Sequence, residues 1–214
     1  MRKLVLAALL FALPAAAQQR PGKTTATWWG HAAWIVKSPG GATIAIDPWL
    51  KNPVAPKDAP WPEQVDAILA THGHFDHVGD AAELARRTGA QVIGAYELVG
   101  LIGAEKGNGA NARGTVQVKD VAIHLVPAVH SSGFGSDPKQ PPQYGGSPLG
   151  FVLQIQGGPT LYHAGDTDVF TVVPMHFGTF PALAGTPDQL SSALKKSGAT
   201  ARMLAFKPGE TKEL

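Results

Sequence analysis

Between residues 23 and 50 the apolar positions fall in short β-branched and aromatic runs, TATWWG, AAWIVKS and ATIAIDPW. Gly30 and the turn Pro39-Gly40-Gly41 separate them. That pattern predicts strands, the second and third joined by a tight antiparallel turn. Residues 51–62, KNPVAPKDAPWP, hold too many prolines for regular structure and read as a loop. VDAILAT (65–71) is a nearly continuous apolar run, the mark of a strand buried on both faces. GDAAELARRTG follows with helical spacing, Asp80 placed to cap its start and Gly89 to end it. QVIG predicts another strand and AYELVGLIGAEKG another helix. GTVQVKD and VAIHLVPA predict two more strands, and residues 131–148, rich in glycine and proline, a long loop. LGFVLQI and TLYHAGD predict a hairpin turning at Gly157-Gly158-Pro159. TVVPMH, a helix in TPDQLSSALKKSG and a last strand near ATARMLAF complete the chain. Strands outnumber helices, no internal repeat stands out, and no linker divides the chain.

The opening breaks this pattern. Arg2 and Lys3 precede an apolar run from Leu4 to Leu13, followed by Pro14 and Ala15-Ala16-Ala17. A charged start, a short apolar core and small residues predict a signal peptide over residues 1–17, and a folded domain over 18–214. The run is short for a membrane span, so the expectation is a soluble periplasmic or secreted protein without a stable membrane anchor. Without Arg2 and Lys3 the 18 basic residues fall to 16 and equal the 16 acidic ones. A neutral mature chain offers no electrostatic footprint for nucleic acid, so the expected partner is a small-molecule substrate. The apolar fraction of 44% suits a globular core, and 214 residues suffice for one. There is no cysteine, which excludes disulfides, thiolate ligands and a cysteine nucleophile. Oligomeric state is not legible.

The chemistry concentrates in THGHFDHVGD (71–80). His72, His74, Asp76 and His77 form an H-x-H-x-D-H pattern between a buried strand and a helix, where open α/β sheets place their sites. Four nitrogen and oxygen donors on one turn suit zinc, manganese or iron, and Gly73 permits an unusual backbone path.

This pattern resembles the signature of the metallo-β-lactamase superfamily. Within it the chain is similar to the small metal-dependent hydrolases related to ascorbate-6-phosphate lactonase. Trp29-Gly30-His31-Ala32 and Ala45-Ile46-Asp47-Pro48-Trp49 carry that resemblance, as do Val126-Pro127-Ala128-Val129-His130-Ser131-Ser132, Tyr162-His163-Ala164-Gly165-Asp166-Thr167 and Met175-His176-Phe177-Gly178-Thr179-Phe180. It implies an α/β fold, the αββα sandwich, and two divalent metal ions, zinc or else manganese. His72, His74 and His130 would hold one ion. Asp76, His77 and His176 would hold the other, with Asp166 bridging. Asp76 is the candidate catalytic residue, orienting a metal-bound hydroxide. The implied reaction is hydrolysis of a small ester, lactone, amide or phosphoester.

Four other residues have expectations of their own. Asp47 is read either as support for a ligand imidazole or as a turn cap. His31, in WGHAA, is read either as lining the site or as a structural histidine, His163 as structural, and His124 as packing within its strand. The 131–148 loop, with Phe134 and Tyr144, either flanks the substrate or is an ordinary solvated loop.

The resemblance implies a segment of several dozen residues between Asp166 and His176, and the join falls at residues 170–171. The expected fold is therefore truncated in its C-terminal half. The ten steps from Asp166 to His176 reach about 33–36 Å when extended. Running back along a five-residue strand and returning consumes about 33 Å. Nothing is left for the turns, so His176 is the ligand most exposed to the loss. Two alternative functions follow: a catalytically impaired metal-binding remnant, and an exported metallo-β-lactamase.

Overall fold

The computed structural model describes residues 22–167 apart from 59, 136 and 138, together with 186–196 and 206–213. The chain opens with β1 (Thr25–Gly30), β2 (Ala33–Lys37), β3 (Thr43–Ile46) and β4 (Ala67–Leu69). Two helices come next, α1 (Phe75–Val78) and α2 (Ala81–Thr88), then β5 (Gln91–Ala95), α3 (Tyr96–Ile102), β6 (Gly107–Ala110), β7 (Thr115–Val118) and β8 (Val121–Pro127). A short ribbon of β9 (Gly133–Phe134) and β10 (Gln143–Tyr144) precedes β11 (Leu149–Ile155) and β12 (Thr160–His163), then α4 (Pro187–Lys196) and β13 (Thr211–Glu213). Among the described residues no helix is long and apolar enough to cross a membrane.

The strands form two main sheets. The larger has the order β13-β1-β2-β3-β4-β5-β6 and the smaller β12-β11-β8-β7. β1, β2 and β3 pair antiparallel, and β3 through β6 pair parallel. The parallel strands are the continuous apolar runs: Ile44, Ala67, Ile68, Leu69, Val92 and Ile93 are all fully buried. A strand covered on both faces needs no polar alternation. The smaller sheet alternates instead. In β8, Val121, Ile123 and Leu125 point inward and Ala122, His124 and Val126 outward. Phe151 and Leu153 on β11 continue the inward face, and one apolar cluster contains buried residues of both sheets.

The sequence pattern missed four strands, each held by pairing more than by burial. β6 reads GNGA, which has little strand propensity. Its glycines are imposed by the neighbouring helix: a Cβ at Gly107 would lie 2.5 Å from Val99 Cγ1, and one at Gly109 2.8 Å from Tyr96 Cα. β13 is a short polar strand that, among the described residues, is held by a ladder to β1. β9 and β10 bring regular structure into the expected 131–148 loop. The expected cap of α2 also differs in its chemistry. Asp80 occupies the cap position without a side-chain cap bond. Its carboxylate accepts from the Lys51 amide at 2.9 Å and pairs with Lys51 Nζ at 3.2 Å, which ties the proline-rich loop to the helix start. Gly89 closes the helix in the left-handed conformation as expected. TVVPMH with His176, and the strand expected near ATARMLAF save for Phe206, lie outside the described residues.

Two links set the edge on which the chemistry collects. The Leu149 amide, at the start of β11, donates to the Thr71 carbonyl just beyond β4 at 2.8 Å, joining the two sheets at that point. The Val129 amide donates to Thr167 Oγ1 at 3.0 Å, holding the chain after β8 beside the chain after β12.

Candidate metal centre

Beyond β4 the chain enters THGHFDH with Thr71 and His72 wholly buried. Gly73 passes so close to the β9 ribbon that a Cβ there would lie 3.2 Å from the Gly133 backbone. α1 is a single turn, started by His77 N donating to the His74 carbonyl at 3.0 Å. That turn sets His77 beside His72, with ring centroids 4.1 Å apart, and Asp76 beside His31 and His77. The result is a ring cluster: His72 to His74 4.5 Å, His72 to His130 4.9 Å and His74 to His130 5.1 Å between centroids. His72 Nε2 and His74 Nδ1 face each other at 2.9 Å.

The proton positions follow from a buried carboxylate. Asp47, fully buried, accepts from the Thr71 amide at 2.8 Å, from Thr71 Oγ1 at 2.7 Å and from His77 Nδ1 at 2.8 Å. Because the Thr71 hydroxyl donates to Asp47, its lone pairs are left to accept from His72 Nδ1, 3.0 Å away. That places the His72 proton at the back and a lone pair at Nε2, inside the cluster. His77 is likewise held from behind, with Nε2 toward Asp166 Oδ1 at 3.4 Å. His74 turns its outer nitrogen to Ser131 Oγ at 3.3 Å. Ligating imidazoles are commonly held this way through the ring nitrogen away from the metal.

Asp166 lies between the groups, its other oxygen 3.6 Å from His130 Nε2. Gly165 precedes it at φ +63°, packed so closely that a Cβ would meet Thr71 Cβ at 2.8 Å. A second trio lies beside the first: His31 Nε2 is 2.9 Å from Asp76 Oδ2, and His77 Nε2 is 4.0 Å from the same oxygen. Three sets of donors, His72–His74–His130, His72–His77–Asp166 and His31–Asp76–His77, each fit within 4.8 Å. Bonds of 2.0–2.2 Å to one cation put neighbouring nitrogen and oxygen ligands about 3–3.5 Å apart. The spacings here lie in and around that range, and the donors are all imidazole and carboxylate. The residues present fit a divalent metal.

The side chains of the cluster polarise one another's charge. Burial, with the neighbouring His77, pushes His72 down to about 3, so its ring is neutral. Burial also opposes the charge on His77, but Asp47 and Asp166 on its two nitrogens prevail and push it up to about 10. Asp76 resists burial through the hydrogen bond from His31 and the charge of His77, and falls to about 2. Asp47 is lowered too: burial raises it, and His77 outweighs burial.

The structure therefore brings together His72, His74, Asp76, His77, His130 and Asp166. His176 lies outside the described residues. Of the two readings open for Asp47, its contacts are those of support for an imidazole. His163 is buried, accepting from the Gly165 amide at 3.2 Å, in keeping with a structural role. His124 is not in the core: it faces outward and bonds across the sheet to Thr115 Oγ1 at 2.8 Å and Gln154 Oε1 at 2.9 Å. Of the two readings open for His31, the structure places it in the cluster, beside Asp76 and His77. Its sequence signal was a histidine in a Gly-His turn at a strand end. Ser132 was missed. It accepts from the Gly73 amide at 3.1 Å and so binds the 131–148 loop to the metal loop.

Comparison with known proteins agrees with this picture. The β-lactamase superfamily domain matches residues 42–190. A UPF0173 metal-dependent hydrolase of Myxococcus xanthus is 51% identical over 94% of this chain and 86% of its own length. That alignment runs over 243 positions, more than the 214 residues present, so part of the relative has no counterpart in this chain. A UPF0173 metal-dependent hydrolase of Anaeromyxobacter sp. is 44% identical over 88% of the chain and 86% of its own. Among solved structures, Igni18, a metallo hydrolase of the archaeon Ignicoccus hospitalis, superposes with a TM-score of 0.75 at 30% identity, over 90% of this chain and 99% of that one. The chain belongs to the β-lactamase superfamily domain family, has the metallo-β-lactamase fold and is a metal-dependent hydrolase.

Proposed function

We propose that this metal-dependent hydrolase cleaves a small ester, lactone, amide or phosphoester at the His72–His74–His130 face, with two divalent ions, zinc or manganese, in the cluster. One observation carries the reading. Seven donor side chains from four separate stretches of chain, at 31, 72–77, 130 and 166, converge in one cluster, and the rings of His72 and His77 are fixed from behind by Thr71 and Asp47. A purely structural cluster of histidines has no need of a lone pair turned inward, as at His72 Nε2.

A bound divalent cation supplies Lewis acidity there, lowering the pKa of a coordinated water and polarising a substrate oxygen. The chain's own groups do the rest. His72, His74 and His130 would hold one ion. Asp76 and His77 would hold the other, with Asp166 between the two. Asp76 is the residue in position to orient the attacking water, its carboxylate kept ionised by His31 and His77. His130 and His74 lie on the open side, where a substrate enters, while His72 and His77 form the buried floor.

The test is hydrolysis of a panel of model esters, lactones, amides and phosphodiesters by the full chain, with and without a chelator. Chelator-sensitive turnover restored by zinc or manganese supports the reading. No turnover of any member by a chain carrying two ions overturns it.

A second reading, an impaired metal-binding remnant, has an observation of its own. The Myxococcus alignment exceeds this chain's length, which supports a missing segment, and the resemblance puts the join at 170–171. Metal binding without turnover would favour it. The charged and then apolar opening, residues 1–17, supports export, and the mature N-terminus read from fractionated cells tests that proposal.

A further inference from the structure

We propose that His31 is a metal ligand in this chain, the third protein donor of a second cation site with Asp76 and His77. The inference rests on the metal-dependent reading above and deepens it.

His31 lies in the turn between β1 and β2, and its side chain is wholly buried. Its φ is 52°, left-handed backbone that non-glycine residues rarely adopt. Such strain persists where the surroundings over-determine it and clusters at functional sites. Asp47, the other end of the support chain, shares it at φ 44°. The turn is fixed on its far side by Trp28 Nε1 donating to the His31 carbonyl at 2.9 Å. Trp49 meets the ring edge-on with centroids 5.3 Å apart, and His77 does so at 5.5 Å. So held, the imidazole presents Nε2 to Asp76 Oδ2 at 2.9 Å, within the 4.8 Å set that includes His77.

A buried histidine that merely filled space would not need a strained turn to reach a carboxylate in the metal loop. The placement also bears on the join at 170–171. The resemblance gives the second ion His176 as its third ligand, from a segment only ten residues beyond Asp166. His31 comes from the first hairpin of the large sheet and reaches the same carboxylate without that segment. The second site is thereby complete with His31, Asp76 and His77, and the neighbouring Asp166 lies 3.4 Å from His77 Nε2.

The experiment loads the full metal-free chain with zinc, counts ions per chain, and compares His31→Gln and His176→Ala. The expected result is two ions in the unmodified chain, one in His31→Gln and two in His176→Ala. Two tightly held ions in His31→Gln, or loss of an ion only in His176→Ala, overturn the proposal. A fold failure in His31→Gln is bypassed by loading the unmodified, 15N-histidine-labelled chain with 113Cd. Cadmium–nitrogen coupling at His31 supports ligation. Coupling at His72, His74 and His77 without His31 overturns it, and there His31 only positions Asp76. Absence of any bound ion in the unmodified chain instead defeats the metal-dependent reading, so the two failures are distinct.

Discussion

Replacing Asp47 by Asn tests how the cluster is held. The carboxylate accepts three hydrogen bonds through two oxygens: Oδ1 from the Thr71 amide, and Oδ2 from Thr71 Oγ1 and His77 Nδ1. An amide must turn its NH2 toward one of these sets. Toward His77, it forces the imidazole to accept at Nδ1 and carry its proton on Nε2, the nitrogen that faces Asp166. It also turns the Thr71 hydroxyl away, so His72 loses the group that places its own proton. Toward the Thr71 amide, two buried donors oppose each other, which costs about 1–3 kcal/mol. Loss of such an outer partner weakens metal binding about 10–100-fold, or about 1.4–2.8 kcal/mol. The assay is competition for zinc against a chelator of known affinity, run beside a thermal melt of the metal-free protein. Asp47→Asn is expected to lower zinc affinity by one to two orders of magnitude, to lower the melting temperature, or both. Unchanged affinity at unchanged stability would refute the reasoning and return Asp47 to the role of a turn residue.

Two further outcomes follow from the geometry. Gly165→Ala places a Cβ on left-handed backbone and against Thr71; it should cost at least about 1–2 kcal/mol in a denaturant titration and reduce metal affinity by displacing Asp166. Asp120 accepts from Ser38 Oγ and from the Gly40 amide, which anchors the turn between β2 and β3, and its carboxyl lies below the usual range despite burial because of those bonds. Its folded pKa is depressed, so its stabilisation is present above the unfolded value and is lost as pH falls through the folded one. Asp120→Ala should therefore cost about 1–3 kcal/mol at pH 7, with the gap from the unmodified protein closing as pH drops below 4 in parallel melts.

Much of the site was legible because it is local. His72, His74, Asp76 and His77 lie in six consecutive residues, and a strand-to-helix turn of that length brings them together with little help from the rest of the fold. Asp166 was legible as a polar residue at the end of an apolar run, and His130 through the family resemblance of its motif. His31 was legible only as one of two readings, lining the site or structural, because the choice depends on a contact 45 residues away that only the tertiary fold creates. Ser132 was not legible, because it acts through the Gly73 amide 59 residues earlier. Among the elements, the strands with alternating or continuous apolar runs were legible and β6 and β13 were not. Gly107 and Gly109 answer to the helix packed on them, and the TKE of β13 is held by a ladder to β1 that its own sequence does not announce.

The most direct test of the account is a crystal structure of the zinc-loaded chain with anomalous diffraction recorded at the zinc edge. The account predicts one peak bonded to His72 Nε2, His74 Nδ1 and His130 at about 2.0–2.1 Å, and a second peak bonded to Asp76 and His77, with Asp166 between them. No peak within the cluster, or zinc only at surface histidines such as His124, would contradict it.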